Sequence, residues 1–233
     1  MKKKKIIILM FIIIISITVY LEYHGYIWHN EIFALKYGIK GLDISNHQSN
    51  IDWNKVKQAE KYRFVFIKAT EGNDYKDKYF YENWNNAKEI GILRGAYHYF
   101  TTGSSGKEQA QNFINVVPKE MGTLPPVVDV EEFGKSKDQF CKELKDFILC
   151  IEQFYEQKPI IYVMYPHYNS YIKGDFEDYA IWIRDILKYP SLNDDREWKF
   201  WQYSNRGRVK GINNYVDLNY FNGSMQELQS LAK

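Results

Sequence analysis

Cysteine is nearly missing from this chain: Cys141 and Cys150 are the two in 233 residues. They stand nine positions apart in a stretch with helical periodicity, where nine residues rise ~13 Å. A disulfide joins Cα atoms no more than ~7 Å apart, so both are expected as free thiols, and they say nothing about a redox compartment. Metal-ligand spacing is absent too. The histidines His24, His29, His47, His98 and His167 are scattered, with no H-E-x-x-H and no cysteine pair, so no metal and no other cofactor is expected. There is no G-x-S-x-G, P-loop or dinucleotide fingerprint, which removes the enzymes built on those loops. Net charge is small as well: the formal value is +2, of which Lys2, Lys3, Lys4 and Lys5 supply +4, leaving −2 for the rest. The folded part is therefore not a basic nucleic-acid binder, and nucleic acid is not an expected partner.

What is plentiful is aromatic. The chain has 20 Tyr, 14 Phe and 6 Trp spread along its length. Many must be core, but Tyr and Trp also line sugar clefts, where a flat apolar face and a polar tip are both useful. A hydrophobic content of 45% in 233 residues is enough for one packed domain plus a short extra segment. That segment is N-terminal. Four lysines precede Ile6 to Leu21, sixteen uncharged residues, and Glu22 ends the run. A positive region followed by an apolar one is a targeting signal. No A-x-A-like site follows, which favours an uncleaved membrane anchor over a removed signal peptide. Sixteen residues span ~24 Å of a ~30 Å hydrocarbon layer, so lysines and a Tyr20, Tyr23, Tyr26 belt must complete the crossing. Positive-inside orientation then places the bulk of the chain outside the cytoplasm. The alternative is a secreted protein whose signal is cleaved. The expected boundaries are 1–21 for the anchor or signal, 22–37 for a juxtamembrane linker and 38–233 for the folded domain.

From Gly38 onward, short apolar runs alternate with helical patterns. Eight runs read as strands: 41–44, 64–67, 93–99, 127–130, 160–163, 180–183, 199–203 and 215–218. Residues 53–62, 78–90, 106–117 and 136–157 carry apolar residues at helical spacing, with Phe140, Leu144, Phe147, Ile148, Ile151 and Phe154 as one stripe. Beyond Gln157 the helices shrink or vanish. Buried strands alternating with helices predict a parallel sheet. The expected fold class is α/β, an irregular, compact (β/α) barrel of eight strands with fewer helices in its C-terminal half, TIM-barrel-like. An open doubly wound sheet is the competing architecture.

Asp129 and Glu131 are i and i+2 at the end of an otherwise apolar strand, so they share a face, roughly 6–7 Å apart along the chain. Cleavage of a glycosidic bond needs a protonated acid at the leaving oxygen and a second carboxylate for the charge at the anomeric carbon. Neighbouring carboxyls in a partly dry site cannot both ionise freely. Glu131, with the longer reach, is the expected acid, and Asp129 the ionised partner. Alone, a D-x-E is equally well a solvated acidic turn. Asp43 ends the first strand and Asp217 ends the last, and in a closed barrel those strands are neighbours. Three strand ends then bring four acids to one rim, the C-terminal face where barrel active sites lie.

The blocks Gly41-Leu42-Asp43-Ile44-Ser45, Phe66-Ile67-Lys68-Ala69-Thr70-Glu71-Gly72, Gly95-Ala96-Tyr97-His98-Tyr99-Phe100, Pro126-Val127-Val128-Asp129-Val130-Glu131 and Val216-Asp217-Leu218-Asn219 resemble, in order, the signature of glycoside hydrolase family 25. The resemblance runs from about Gly38 to Gly223. It implies a lysozyme cutting the β-1,4 bond between N-acetylmuramic acid and N-acetylglucosamine. Carried over by position, it implies Glu131 as general acid, Asp129 as its partner orienting the substrate's acetamido group, and Asp43 and Asp217 as supporting acids. Substrate assistance makes carboxylate spacing uninformative about retention or inversion. Two positions depart from the pattern: Val128 replaces a usual Leu, and Trp182-Ile183-Arg184-Asp185 puts a bulky cation where many members have a small residue.

Further substrate-binding candidates are Tyr97, Tyr162, Trp182 and Gln202, with core burial the alternative for the aromatics. His98 points away from Tyr97 and Tyr99 and reads as a hydrogen-bonded barrel histidine. Lys68 and Glu71 read as a structural ion pair. Expected partners are peptidoglycan glycan strands and, through the N-terminal segment, a membrane, with the chain acting as a monomer. Two rival functions are a silent glycan-binding protein that keeps the cleft, and a hydrolase of another acetamido sugar polymer such as chitin.

Overall fold

The computed structural model describes residues 2–34, 38–134 and 136–232. The apolar run lies in helix α1, Lys2–Tyr23, exposed from Lys3 to Tyr20. Because the helix continues through the lysines at one end and Glu22 and Tyr23 at the other, its length reaches ~33 Å. By length and composition it is able to cross a membrane.

The segment expected as a linker is, in its described part, a strap docked on the barrel; residues 35–37 lie outside the described residues. Arg206 Nη1 donates to the Tyr23 carbonyl at 2.9 Å, and Arg208 reaches the carbonyl of His24. Gly25 (φ +71°) lies on the Arg206 carbonyl, where a Cβ would come within 1.8 Å, so both its backbone angle and the contact demand glycine. His29 Nε2 contacts the Leu187 carbonyl at 2.7 Å. Asn30, the first residue of helix α2 (Asn30–Ala34), is fully buried and donates to the Tyr203 carbonyl at 3.2 Å. These bonds are between polar side chains and backbone, a pattern that hydrophobic periodicity does not show.

The strands are β1 (Lys40–Ile44), β2 (Tyr62–Glu71), β3 (Tyr75–Lys76), β4 (Leu93–Tyr99), β5 (Val127–Val130), β6 (Ile160–Val163), β7 (Ile181–Arg184), β8 (Phe200–Gly207) and β9 (Val216–Phe221). All but β3 form a ring in the order β1, β9, β8, β7, β6, β5, β4, β2, closed by β2 on β1. The two-residue β3 hangs on β2 outside the ring. Pairing is parallel except that β9 runs antiparallel to both β8 and β1. The sheet is thus mixed where the strand and helix alternation predicted a parallel one. The reason is the connection: residues 208–215 hold no helix and are fewer than the dozen or so that a parallel crossover needs.

Outside the ring pack α3 (Trp53–Gln58), α4 (Phe80–Glu89), α5 (Gly106–Val116) and α6 (Lys137–Tyr155). After β6 only the short α7 (Tyr165–His167) and a π-helical turn (Tyr168–Ile172) follow, and α8 (Met225–Leu231) ends the described chain. Ser136 caps α6, whose buried stripe is as expected except at its end. Phe154 is 40% exposed and Tyr155 is buried instead, because the Tyr155 hydroxyl can donate to the Val117 carbonyl at 2.8 Å. Cys141 and Cys150 are both free.

Strand alternation splits the core in two. Val65, Ile67, Val128, Val130, Ile161 and Ile183 face outward to the helices. Phe64, Phe66, Val127, Ile160, Trp182, Phe200 and Phe221 fill the barrel interior. Gly41 and Gly95 make that interior possible: a Cβ on either would come within 2.3 Å of the Phe64 ring or 2.6 Å of the Phe66 ring, respectively. The packed aromatics close the barrel from below and leave a hollow at its C-terminal mouth.

Candidate active site

Above the aromatic floor, each strand of the ring turns a further side chain inward, two positions from a floor residue. Asp43 follows Gly41, Lys68 follows Phe66, Tyr97 follows Gly95, Asp129 follows Val127, Tyr162 follows Ile160, Arg184 follows Trp182 and Gln202 follows Phe200. They line a cleft of about 590 Å³. All eight residues singled out in the sequence, Asp43, Tyr97, Asp129, Glu131, Tyr162, Trp182, Gln202 and Asp217, lie in its walls or floor. Asp217 arrives by an unexpected route. It stands near the start of β9, not its end, and the reversed direction of that strand is what brings it level with Asp43. Glu131 lies one residue past the end of β5, which frees its carboxyl at the mouth. Sequence reasoning left out Met164, which is simply the next inward position after Tyr162, Asn205 toward the end of β8, and His47 and Tyr215, which lie outside the strands and carry no periodic signal.

The acids sit in one hydrogen-bond network. Asn219 Nδ2 donates to Asp43 Oδ2 at 2.7 Å, and Gln202 Nε2 to both Asp43 oxygens at 3.3 and 3.1 Å. Trp182 Nε1 in turn fixes Asn219 through Oδ1 at 2.9 Å, so Trp182 serves the floor and the network together. With Gln202 so oriented, its Oε1 faces Tyr162, whose hydroxyl donates to it at 2.9 Å. A phenol has one hydrogen. The same hydroxyl lies 3.4 Å from Glu131 Oε1, the longer and weaker of its two contacts.

Burial raises Glu131 above the ordinary carboxylate range against the opposing pull of Arg184, of the Tyr162 hydroxyl and of Lys68. Burial, then Glu131 and Asp43, push Asp129 well above it. Asp129 Oδ1 is buried with no hydrogen-bond partner. The division expected from the sequence, one acid protonated and Asp129 ionised, is thus not imposed by the protein alone: without a donor at Oδ1, the neutral form of Asp129 is also favoured. Asp217 is likewise pushed well up by burial and by Asp43, to which it hydrogen-bonds. Asp43, buried but served by Asn219, Gln202 and Asp217, rises to about 6. The Tyr97 and Tyr162 phenols are held protonated by burial and by the surrounding acids.

The sign of the linkage follows from these directions. A carboxyl raised by folding contributes stability that is full below its unfolded value, near 4, and is lost as pH rises through its folded value. For Asp43 that window runs from about 4 to about 6. The expected result is a carboxyl carbon resonance of Asp43 that titrates near pH 6, with a fall in melting temperature over the same window; a midpoint at the free-aspartate value would contradict it.

Other charged and polar residues have structural duties. His98 is buried, with Nδ1 against Thr70 Oγ1 at 2.7 Å and Nε2 against Gln109 Oε1 at 3.1 Å, and burial lowers it to about 3. It is a neutral structural link between β4 and α5. His98→Ala is expected to cost about 2–4 kcal/mol of stability, read from denaturant unfolding, with turnover per folded molecule kept. Lys68 Nζ pairs with Glu71 at 2.7 Å. Glu132 takes the Thr102 amide at 2.8 Å and ties two rim loops. A second hollow of about 510 Å³ lies by the starts of α5 and α6. Its acids are already engaged: Glu143 accepts from the Gly106 amide at 2.9 Å, and Glu108 belongs to the Ser105 capping box.

Comparison with known proteins agrees with this geometry. The model of the family described as glycosyl hydrolases family 25 matches residues 42–212. A solved family 25 glycosyl hydrolase from Bacillus anthracis superposes with a TM-score of 0.80 at 41% identity, covering 85% of this chain and 95% of that one. The protein YegX of Escherichia coli (strain K12) is 39% identical, over 94% of this chain and 83% of its own length. Lysozyme M1 of Streptomyces globisporus is 35% identical, over 84% of this chain and 71% of its own length.

Proposed function

The chain belongs to glycosyl hydrolases family 25 and is a glycoside hydrolase, and from that premise we propose that it is a lysozyme. It cleaves the β-1,4 bond between N-acetylmuramic acid and N-acetylglucosamine in peptidoglycan. The observation that carries this reading is the pairing at the cleft mouth of Glu131, raised above the ordinary carboxylate range by burial, with Asp129, whose buried Oδ1 has no donor. An acetamido N–H of the substrate supplies that donor.

Glu131 gives its proton to the glycosidic oxygen as the C1–O bond breaks. The acetamido oxygen closes on C1 while Asp129 holds the N–H and stabilises the positive charge that develops there. Water then opens the ring so formed, and its proton returns to Glu131. One bond is cleaved and one water consumed, and no cofactor enters. Asp43 and Asp217 share a proton and hold Gln202 and Tyr162 in register. We place the barrel outside the cytoplasm, held at a membrane by α1, since peptidoglycan lies there and α1 has the length to cross.

The test is the product of digesting purified peptidoglycan. A new reducing-end muramic acid is expected. A reducing-end glucosamine, or release of no sugar, rules the reading out, the latter in favour of a glycan-binding protein.

A further inference from the structure

Arg184 ends β7, and alternation from the floor residue Trp182 turns its side chain into the mouth. The cleft walls there also carry Asp43, Asp129, Glu131 and Asp217. A guanidinium among four acids would be expected to pair with one. It does not. The hydrogen bond it makes is from Nη1 to Met164 Sδ at 3.4 Å, a weak acceptor, and among the described residues it forms no ion pair. The other cleft cation, Lys68, is already committed to Glu71 at 2.7 Å. Arg184 therefore lines the mouth without an ion-paired acid, its charge reaching Glu131 and Asp217 only at longer range.

A planar guanidinium fork matches a carboxylate. On the reading that the substrate is peptidoglycan, muramic acid brings one such group close to the scissile bond: the lactyl ether on C3. Its carboxyl is a free carboxylate where the stem peptide is missing and a neutral amide where the peptide is attached. We propose that Arg184 is a specificity-determining residue that takes the free lactyl carboxylate, so that the enzyme prefers glycan strands stripped of their stem peptides. Carboxylates further out on a stem peptide offer the same chemistry from another source, and the experiment separates the two.

Binding is measured by titration calorimetry on the Glu131→Gln enzyme, which holds glycan uncleaved. Three synthetic muramic acid–glucosamine tetrasaccharides are compared: with free lactyl carboxyls, with lactyl carboxamides, and with a lactyl-linked stem peptide. The carboxylate form is expected to bind about ten- to a hundredfold more tightly than the carboxamide. Arg184→Ala in the same background brings that ratio close to one, and Arg184→Lys keeps part of it, which a loss of folding does not mimic. A ratio untouched by Arg184→Ala overturns the proposal. So does a preference for the peptide-bearing strand that vanishes with Arg184→Ala, since it assigns the charge to the stem. Failure of the underlying function is seen separately, as wild-type enzyme that releases no reducing-end muramic acid from any strand.

Discussion

Glu131→Gln lowers turnover on peptidoglycan by roughly 10²–10⁴-fold while glycan binding and melting temperature stay close to wild type. The amide fills the same space and can still meet the Tyr162 oxygen, which lies 3.4 Å from Oε1, but it has no proton to give to a leaving oxygen. Release of reducing ends, with binding measured in parallel by sedimentation with cell-wall material, checks both halves. A second substrate sharpens the test. An aryl glycoside with a dinitrophenol leaving group departs without protonation, so the variant's deficit on it should be much smaller. An equal deficit on both substrates would point to disturbed positioning and away from acid catalysis. Since burial raises Glu131 and the protonated form is the working one, wild-type kcat/KM falls as pH rises through that raised value. The variant loses this alkaline limb.

Asp129→Asn is expected to lose about 10²–10³-fold in turnover and, at neutral pH, to melt higher than wild type. The two effects come from one fact: the side chain is buried with Oδ1 lacking any donor. A carboxylate there is costly to the fold and useful to the substrate, whose acetamido N–H satisfies it. Asparagine removes the charge and with it both consequences. Because the carboxyl is raised by folding, wild type loses stability as pH climbs, and the melting advantage of the variant should shrink toward pH 4, where the wild-type group is neutral as well. Scanning calorimetry at a series of pH values reads this directly. An Asp129→Asn protein that melts lower than wild type at every pH, or that keeps full turnover, removes Asp129 from its assigned place.

Much of the cleft was legible because its residues obey the strand period. Asp43, Tyr97, Asp129, Tyr162, Trp182 and Gln202 all alternate with residues that pack outside the ring, and hydrophobic patterning registers that alternation without knowing the fold. Asp217 shows where such reasoning reaches the right rim for the wrong cause. A final parallel strand would have left it at the far end from Asp43. The reversal of β9 corrected this, and it depends on the shortness of residues 208–215, a constraint of chain length and not of pattern. Side-chain networks were less legible. Nothing in the spacing tells that Gln202 is turned by Asp43, and that this turn faces its Oε1 toward Tyr162. The contacts of the juxtamembrane segment were illegible for a similar reason: its attachments, from Arg206 to Tyr23 and from Asn30 to Tyr203, join residues distant in sequence through backbone carbonyls that any residue type would offer.

That strap also sets a distance. A free tether of about a dozen residues has a root-mean-square reach of about 20 Å and would let the mouth sweep past many glycan strands from one fixed point. Here α1 ends on Arg206 and Arg208, and both arginines lie near the ring of Tyr215, a residue of the cleft wall. The foot of the helix and the cleft wall are therefore joined by direct contacts. With α1 anchored as we propose, these contacts set the height of the mouth above the membrane, acting as a ruler and not as a leash.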